Sequence, residues 1–428
     1  MLLLTAACDT LFAPYKPPPL PGQRVSILSL QSKLEPDPRI QDTAIRLPRP
    51  FANPDWSQDG GNADKAMHHL AMSEAPQEVW RQSIASGSSS DSRLTQPPII
   101  AGGRAFALDS TGSVTALAAA DGRRLWRTSV LPKGEDEGLI GGGVAAGYGM
   151  VFAATGHGEV IALDAERGTE IWRRRVGPPL TSPPTVSDGR VFAITQDNQL
   201  VALAAADGQL LWSHVGIAEP AGLVGAGAPA ASDGVVVGAF SSGELVALRA
   251  DTGRLVWTEA LSRAGQATTA GELADINGRP VIDRGIVYAL GHSGRMVATD
   301  LSTGARLWTQ NLTGAESPWV AGDYVFVITL DNELVALTRS EGRIRWVTEL
   351  PLFERPDSRT RRIVWSGPVL ASDRLIITSS RGDAVAVSPY SGKMLGNLRL
   401  GDKVYIAPVI AGETLFVLGD DGRLTAFR

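Results

Sequence analysis

A fixed interval of 28 residues recurs along this chain and restricts it to repeat architectures. Stretches rich in Val, Ile and Phe open at Pro98, Val144, Pro184, Pro229, Pro280 and Pro318. Twenty-eight residues after each stands a tryptophan: Trp126, Trp172, Trp212, Trp257, Trp308 and Trp346. A seventh opener, Pro368, keeps the interval but reaches Gly396, and an eighth stands at Pro408. Alanine follows every opener by 18 residues, at Ala116, Ala162, Ala202, Ala247, Ala298, Ala336, Ala386 and Ala426. Glycine follows by 24 in the seven complete units, at Gly122, Gly168, Gly208, Gly253, Gly304, Gly342 and Gly392.

Within a unit the β-rich runs are separated by Asp-Gly, Ser-Gly or Asp-Asn pairs. These residues tolerate the positive φ that tight antiparallel hairpins require. The invariant glycine falls where the last hairpin turns, and a large ring on the outermost strand can wedge between neighbouring sheets. Strand, turn, strand, turn, strand, turn, strand describes a four-stranded meander, which is the blade of a β-propeller. The expectation is an all-β fold of eight such blades. From Pro408 to Arg428 there is room for only three strands of the eighth blade. The orphan stretch Glu78-Val79-Trp80-Arg81, upstream of the first complete unit, reads as its fourth. Trp80 then takes the missing tryptophan position, and the ring closes without leaving an open sheet edge. Trp80, Trp126, Trp172, Trp212, Trp257, Trp308 and Trp346 are all read as structural blade-docking residues.

With the blade core constant, length varies only between a tryptophan position and the next opener, from 10 residues (308 to 318) to 23 (257 to 280). Such connectors leave one face of a propeller, and elaborated loops on a rigid scaffold are where function collects. Two neighbouring connectors carry apolar residues beside carboxylates, Ile217 to Val224 and Glu272 to Asn277, a mixture suited to a protein interface. The blander alternative is solvated loops without a partner. Another connector holds Arg355, Arg359, Arg361 and Arg362, and runs of this kind are usually solvated.

Forty Lys and Arg against 45 Asp and Glu leave a net charge of −5, with no basic footprint for nucleic acid. The five histidines form no metal-ligand spacing, since adjacent His68 and His69 would point to opposite faces of a strand. No nucleophile elbow or phosphate-binding loop occurs. No cofactor, metal or catalytic residue is assigned.

The chain divides into residues 1–8, 9–74 and 75–428. The first is a short apolar run ending in small residues before Cys8, the single cysteine. It resembles the end of a bacterial lipoprotein signal with Cys8 as the lipidated residue. The run is short and has no basic start, so the expectation is a translation start upstream of Met1. The alternative is an ordinary apolar N-terminus with a chance cysteine. Residues 9–74 begin with a proline-rich tether, Tyr15 to Pro21. Residues 75–428 are the propeller.

The repeat resembles the tryptophan-docking motif of the pyrroloquinoline-quinone (PQQ) dehydrogenases, Ala-x-Asp-x-x-Thr-Gly-x-x-x-Trp. Ala298, Asp300, Thr303, Gly304 and Trp308 match it throughout. Within that superfamily the chain is most similar to the family of outer-membrane protein assembly factor BamB. The likeness covers about residues 50–428, the Cys8 signal and the segment Pro54-Asp55-Trp56-Ser57-Gln58. It implies a non-catalytic scaffold of the periplasm, lipid-anchored to the outer membrane, that binds BamA and other subunits of the β-barrel assembly machinery. Unfolded outer-membrane proteins are further partners it admits.

The family's BamA contact uses a Leu-x-Leu-Arg stretch and an Asp-x-Asp pair. Here Leu223 and Asp275 match, while Val224 replaces the arginine, Ala221 the first leucine and Asn277 the second aspartate. The partner-binding set is therefore Leu223, Val224, Asp275 and Asn277. Asp9, directly after Cys8, favours inner-membrane retention in some bacteria and leaves the destination membrane open. The rival readings are a PQQ-dependent dehydrogenase and a propeller scaffold of another envelope complex. A single cysteine excludes the disulfide of adjacent cysteines common beside that cofactor.

Overall fold

Eight four-stranded antiparallel sheets carry the 28-residue units. The computed structural model describes residues 34–89, 94–135, 138, 141–217, 227–261, 278–292 and 294–428. Blades 1 to 7 span 99–129, 142–175, 185–215, 230–260, 281–310, 319–349 and 365–399. Blade 8 combines Val409–Ala411, Thr414–Leu418 and Arg423–Phe427 with Glu78–Ser83 as its outermost strand. Trp80 lies opposite Ala426, and Gln77 and Arg428 exchange two backbone hydrogen bonds of 2.9 Å. The ring is thus closed by the N-terminal strand. Among the described residues no helix is long and apolar enough to cross a membrane.

The blades lock together through one repeated contact. Each tryptophan sits across from the repeat alanine of its own blade, as Trp126 does from Ala116 and Trp308 from Ala298. In six blades the next residue of that row is aromatic, with ring centroids 5.7–6.1 Å from the indole. The indole then slides under the last hairpin of the following blade. Trp308 donates its Nε1–H to the Arg339 carbonyl at 2.8 Å, and the other six tryptophans make the same bond to Ala119, Ala165, Ala205, Ala250, Leu301 and Pro389.

The hairpin glycine is required twice over. Gly342 has φ +66°, a conformation costly to other residues, and a Cβ there would stand 2.5 Å from the Trp308 ring. The same conflict meets Gly168 against Trp126 and Gly253 against Trp212.

A second device runs around the axis. Each blade's innermost strand would leave backbone N–H groups unpaired at its inner edge, which buried structure rarely tolerates. Residues 51–72 visit the eight inner strands in ring order and supply acceptors to most of them. The Asn53 carbonyl accepts from Gly412 of the blade 8 turn (2.7 Å), and Trp56 exchanges two bonds with Ile100 of blade 1 (2.7 and 2.8 Å). The Ser57 carbonyl accepts from Ala146 of blade 2 (2.7 Å), and the Gln58 amide brackets Val186 of blade 3. Ala63 and Asp64 carbonyls accept from Ala231 and Ile282 of blades 4 and 5, both at 2.8 Å. Trp319 of blade 6 donates its indole N–H to the His68 carbonyl (2.7 Å), and Leu70 pairs with Leu370 and Ser372 of blade 7. We call this stretch the strap. His68 and His69 part company on it. His68 Nε2 lies 3.8 Å from Asp283, whereas His69 accepts from the Asp373 N–H and donates to the Pro48 carbonyl.

The arginine-rich connector before blade 7 forms a small exposed hairpin, Phe353–Arg355 with Thr360–Arg362. Arg361 pairs with Glu354 at 3.4 Å, while Arg362 donates to the Leu330 carbonyl at 2.5 Å.

The indole lock is directly testable. Trp308 is 8% exposed and Leu307, its neighbour on the strand, 49%. Trp308→Ala is expected to lower unfolding free energy by about 3–5 kcal/mol and Leu307→Ala by under about 1 kcal/mol. Denaturant titration of both variants gives the comparison; equal losses would mean that the indole does not lock the blades.

Candidate partner-docking face

In a four-stranded meander the connectors between blades and the hairpins joining second and third strands share one face. Two connectors singled out by sequence leave it, one between Ile217 and Gly227 and one between Leu261 and Gly278. Their interiors lie outside the described residues, and with them Leu223, Val224, Asp275 and Asn277; Cys8 lies outside them too. The structure does describe the four roots.

The first connector leaves on a firm base. Asn198, in the second hairpin of blade 3, is 3% exposed and holds φ +59°. Its Nδ2 donates to the Ile217 carbonyl (2.7 Å), its carbonyl accepts from Gly216 (2.8 Å), and its Oδ1 accepts from Ser241 of blade 4 (3.1 Å). One side chain thus ties the departing chain to two blades. Around this root Leu211, Val215 and Ile217 remain exposed, Val215 at 64%. Asn332 repeats the device at the base of the hairpin connector, donating to the Pro351 and Ile363 carbonyls.

The two return roots touch. A Cβ on Gly227 would lie 2.6 Å from the Arg279 nitrogen, so the first connector comes back directly against the second. Arg279 fixes this point in two directions. Its N–H donates to Ser317 Oγ (2.7 Å), and its Nη1 reaches Asp59 of the strap at 2.5 Å. Asp59 is 3% exposed. The base of the second connector is therefore tied to the axis by a part-buried ion pair.

The axis itself is filled by the strap. Trp56 stacks on Trp319 with centroids 6.2 Å apart, and Lys65, 4% exposed, donates to Thr185 Oγ1 (3.0 Å). The cavity left between Trp56, Lys65, Arg279 and Trp319 is about 20 Å³, room for a water. A tricyclic quinone does not fit beside these residues at the axis. Among the described residues no group of three or more His, Cys, Asp or Glu could hold a metal ion.

Residues 71–140, 110–348 and 355–428 match the family described as outer membrane protein assembly factor BamB. The chain belongs to this family. A relative of that name from Yersinia pestis is 28% identical over 360 residues, covering 82% of this chain and 89% of its own. Among solved structures, BamB from Moraxella catarrhalis superposes with a TM-score of 0.69 at 20% identity, over 83% of this chain and all of that one. Quinohemoprotein alcohol dehydrogenase from Comamonas testosteroni gives 0.66 at 13% identity, over 87% and 80%. Both likenesses establish the propeller and nothing finer.

A buried amine, Lys65, and a half-buried carboxyl, Glu316, make stability depend on pH. Burial pushes the Lys65 amine down to about 7, against the pull of Asp59. Burial likewise pushes the Glu316 carboxyl up to about 7, although Arg279 and the Gly367 N–H favour its charged form. Between about pH 4.5 and 7 the unfolded chain gives up the Glu316 proton more readily than the native state, so stability falls as pH rises. Between about pH 7 and 10.5 the unfolded chain holds the Lys65 proton more tightly, so stability rises with pH. Melting curves should show Glu316→Gln flattening the acid arm relative to wild type and Lys65→Met flattening the basic arm. Unchanged pH profiles in both variants would remove these groups as the cause.

Proposed function

We propose that this chain is a non-catalytic scaffold subunit of the machinery that assembles outer-membrane proteins. It docks the periplasmic domains of BamA through the connector segments Ile217 to Val224 and Glu272 to Asn277, with Leu223 and Asp275 as the principal contacts and Val224 and Asn277 beside them. Cys8 carries the lipid that holds it to the periplasmic side of the outer membrane. Family membership supports the assembly role, as the relatives bear that name. The observation that carries the docking reading is the contact of Gly227 with Arg279. It keeps the bases of the two connectors adjacent, which puts both within reach of a single partner. The lipid confines scaffold and partner to two dimensions, raising their effective concentration.

A dehydrogenase on this fold is the rival. A quinone site at the axis conflicts with Gln58, Asp59 and Lys65, which already fill it. Fold alone does not decide chemistry. Addition of PQQ and Ca²⁺ with an artificial electron acceptor is expected to give no alcohol or sugar oxidation.

Leu223→Asp combined with Asp275→Lys should abolish co-purification of BamA from solubilised envelopes while leaving the melting temperature unchanged. Undiminished recovery of BamA would reject the two connectors as its site.

A further inference from the structure

At the junction of blades 7 and 8 the indole lock is missing. Seven junctions place a tryptophan beside the repeat alanine and under the next hairpin, and there the alanines Ala116, Ala162, Ala202, Ala247, Ala298, Ala336 and Ala426 are fully buried. Blade 7 reads Ile376, Ala386, Gly396 across the same row, and Ala386 is only partly buried. Blade 8 has no hairpin between its third and fourth strands, because Glu78–Ser83 supplies the fourth. The glycine that would receive an indole is therefore absent as well. Residues 74–77 border the space instead, with the Glu74 carbonyl accepting from Arg374 at 2.6 Å.

The result is a cavity of about 390 Å³. Its floor is the Ile376–Ala386–Gly396 row, and Met72, Val385 and Leu415 form much of the rest. Met72, Ile376, Val385 and Leu415 belong to the largest apolar core, so the cavity continues the established interface between blades 7 and 8. A Cβ on Gly396 would meet no atom within 4 Å, so the site is open at the place where the other blades carry an indole.

The strand bordering it, Met394–Arg399, is also a lightly guarded edge. Charges along an outer strand discourage pairing with other chains, and Glu170–Arg175 carries four. Met394–Arg399 has a single charge at its end, and Met394 and Leu395 are 49% and 55% exposed.

We propose that this cavity docks one aromatic side chain from an extended segment of another polypeptide, whose backbone pairs with Met394–Arg399. The occupant is identified by the molecule itself: the equivalent row takes an indole in all seven other blades. Strand addition with a side-chain pocket is an established physical mode of peptide recognition, the backbone giving affinity and the pocket selectivity. An inserted aromatic ring would remove ~150–250 Å² from water. This site is separate from the two connectors and does not depend on BamA being their partner.

The test uses the full chain labelled at its methionine methyls. Met72 lines the cavity, whereas Met150 and Met296 lie in the strands Met150–Thr155 and Met296–Asp300 of blades 2 and 5 and serve as remote controls. The probe is a capped pentapeptide, Thr-Thr-Trp-Thr-Thr, with a twin carrying alanine at its centre. A saturable shift of Met72, with Met150 and Met296 still, is expected for the tryptophan peptide. Affinity should fall by about 10-fold or more for the alanine twin, and equally for the tryptophan peptide on Gly396→Trp, which fills the space from within. Gly396→Leu, a smaller filling, should act in the same direction and serves if the larger variant does not fold. The proposal is overturned by an unmoved Met72, by equal binding of the twin, or by undiminished binding to a folded cavity-filled variant. It is also overturned if Met72 shifts with protein concentration alone, which would make a second copy the occupant.

Discussion

A propeller stands or falls on how each wedge grips the next, and here the grip is an indole held under a glycine. The contact joins three effects at one point. The ring removes a large apolar area from water, its N–H is satisfied by a carbonyl of the neighbouring hairpin, and the positive φ of that hairpin admits glycine alone at the point of closest approach. A buried indole N–H without a partner would cancel part of the gain. The bond to the next blade therefore sets the distance and angle between blades as well as stabilising them. Seven repetitions of one geometry give a ring whose curvature leaves room for eight sheets.

Closing the outer circumference leaves the inner edges unresolved, and the strap answers that second problem. Its bonds to the inner strands are mostly backbone to backbone, supplemented by the Gln58 amide and the Trp319 indole. A single stretch of about twenty residues thereby touches every blade, including the two that meet at the seam. The seam is the one junction without an indole, and Leu70 and Met72 bind blade 7 just before the chain enters blade 8 at Glu78. The missing lock is thus offset by covalent continuity from the strap into the closing strand. That compensation is backbone-based, and it leaves the side-chain space beside Gly396 open.

The ring was legible in the sequence because its lock needs particular side chains at particular intervals. Trp308, Gly304 and Ala298 cannot be exchanged freely, so the register could be counted and the place of Trp80 opposite Ala426 deduced from the gap in the pattern. The strap was not legible for the opposite reason. Backbone carbonyls of Ser57, Ala63 and Asp64 do their work whatever side chains accompany them, and a segment curving round an axis shows neither helical nor strand periodicity. Asn198 and Asn332 fall between these cases. Each follows an aspartate in a turn and announces positive φ, but its second role as donor to a departing connector has no sequence signature. The connectors could be recognised only by length and composition, and the described residues bear on their roots alone.

Those roots show why strap and connector face are one mechanical system. Arg279 returns the second connector to blade 5, touches Gly227 at the end of the first, and reaches the axis through Asp59. Removing either partner leaves an uncompensated charge; because Arg279 is partly exposed, the cost falls below the roughly 3–5 kcal/mol of a fully buried pair. A displaced strap would impose that cost at the base of both connectors together. The roots of both connectors are consequently coupled to the strap at the axis. Because Arg279 is held both by Asp59 of the strap and by Ser317 at the start of blade 6, a shift of the strap at Asp59 is felt where the second connector rejoins blade 5.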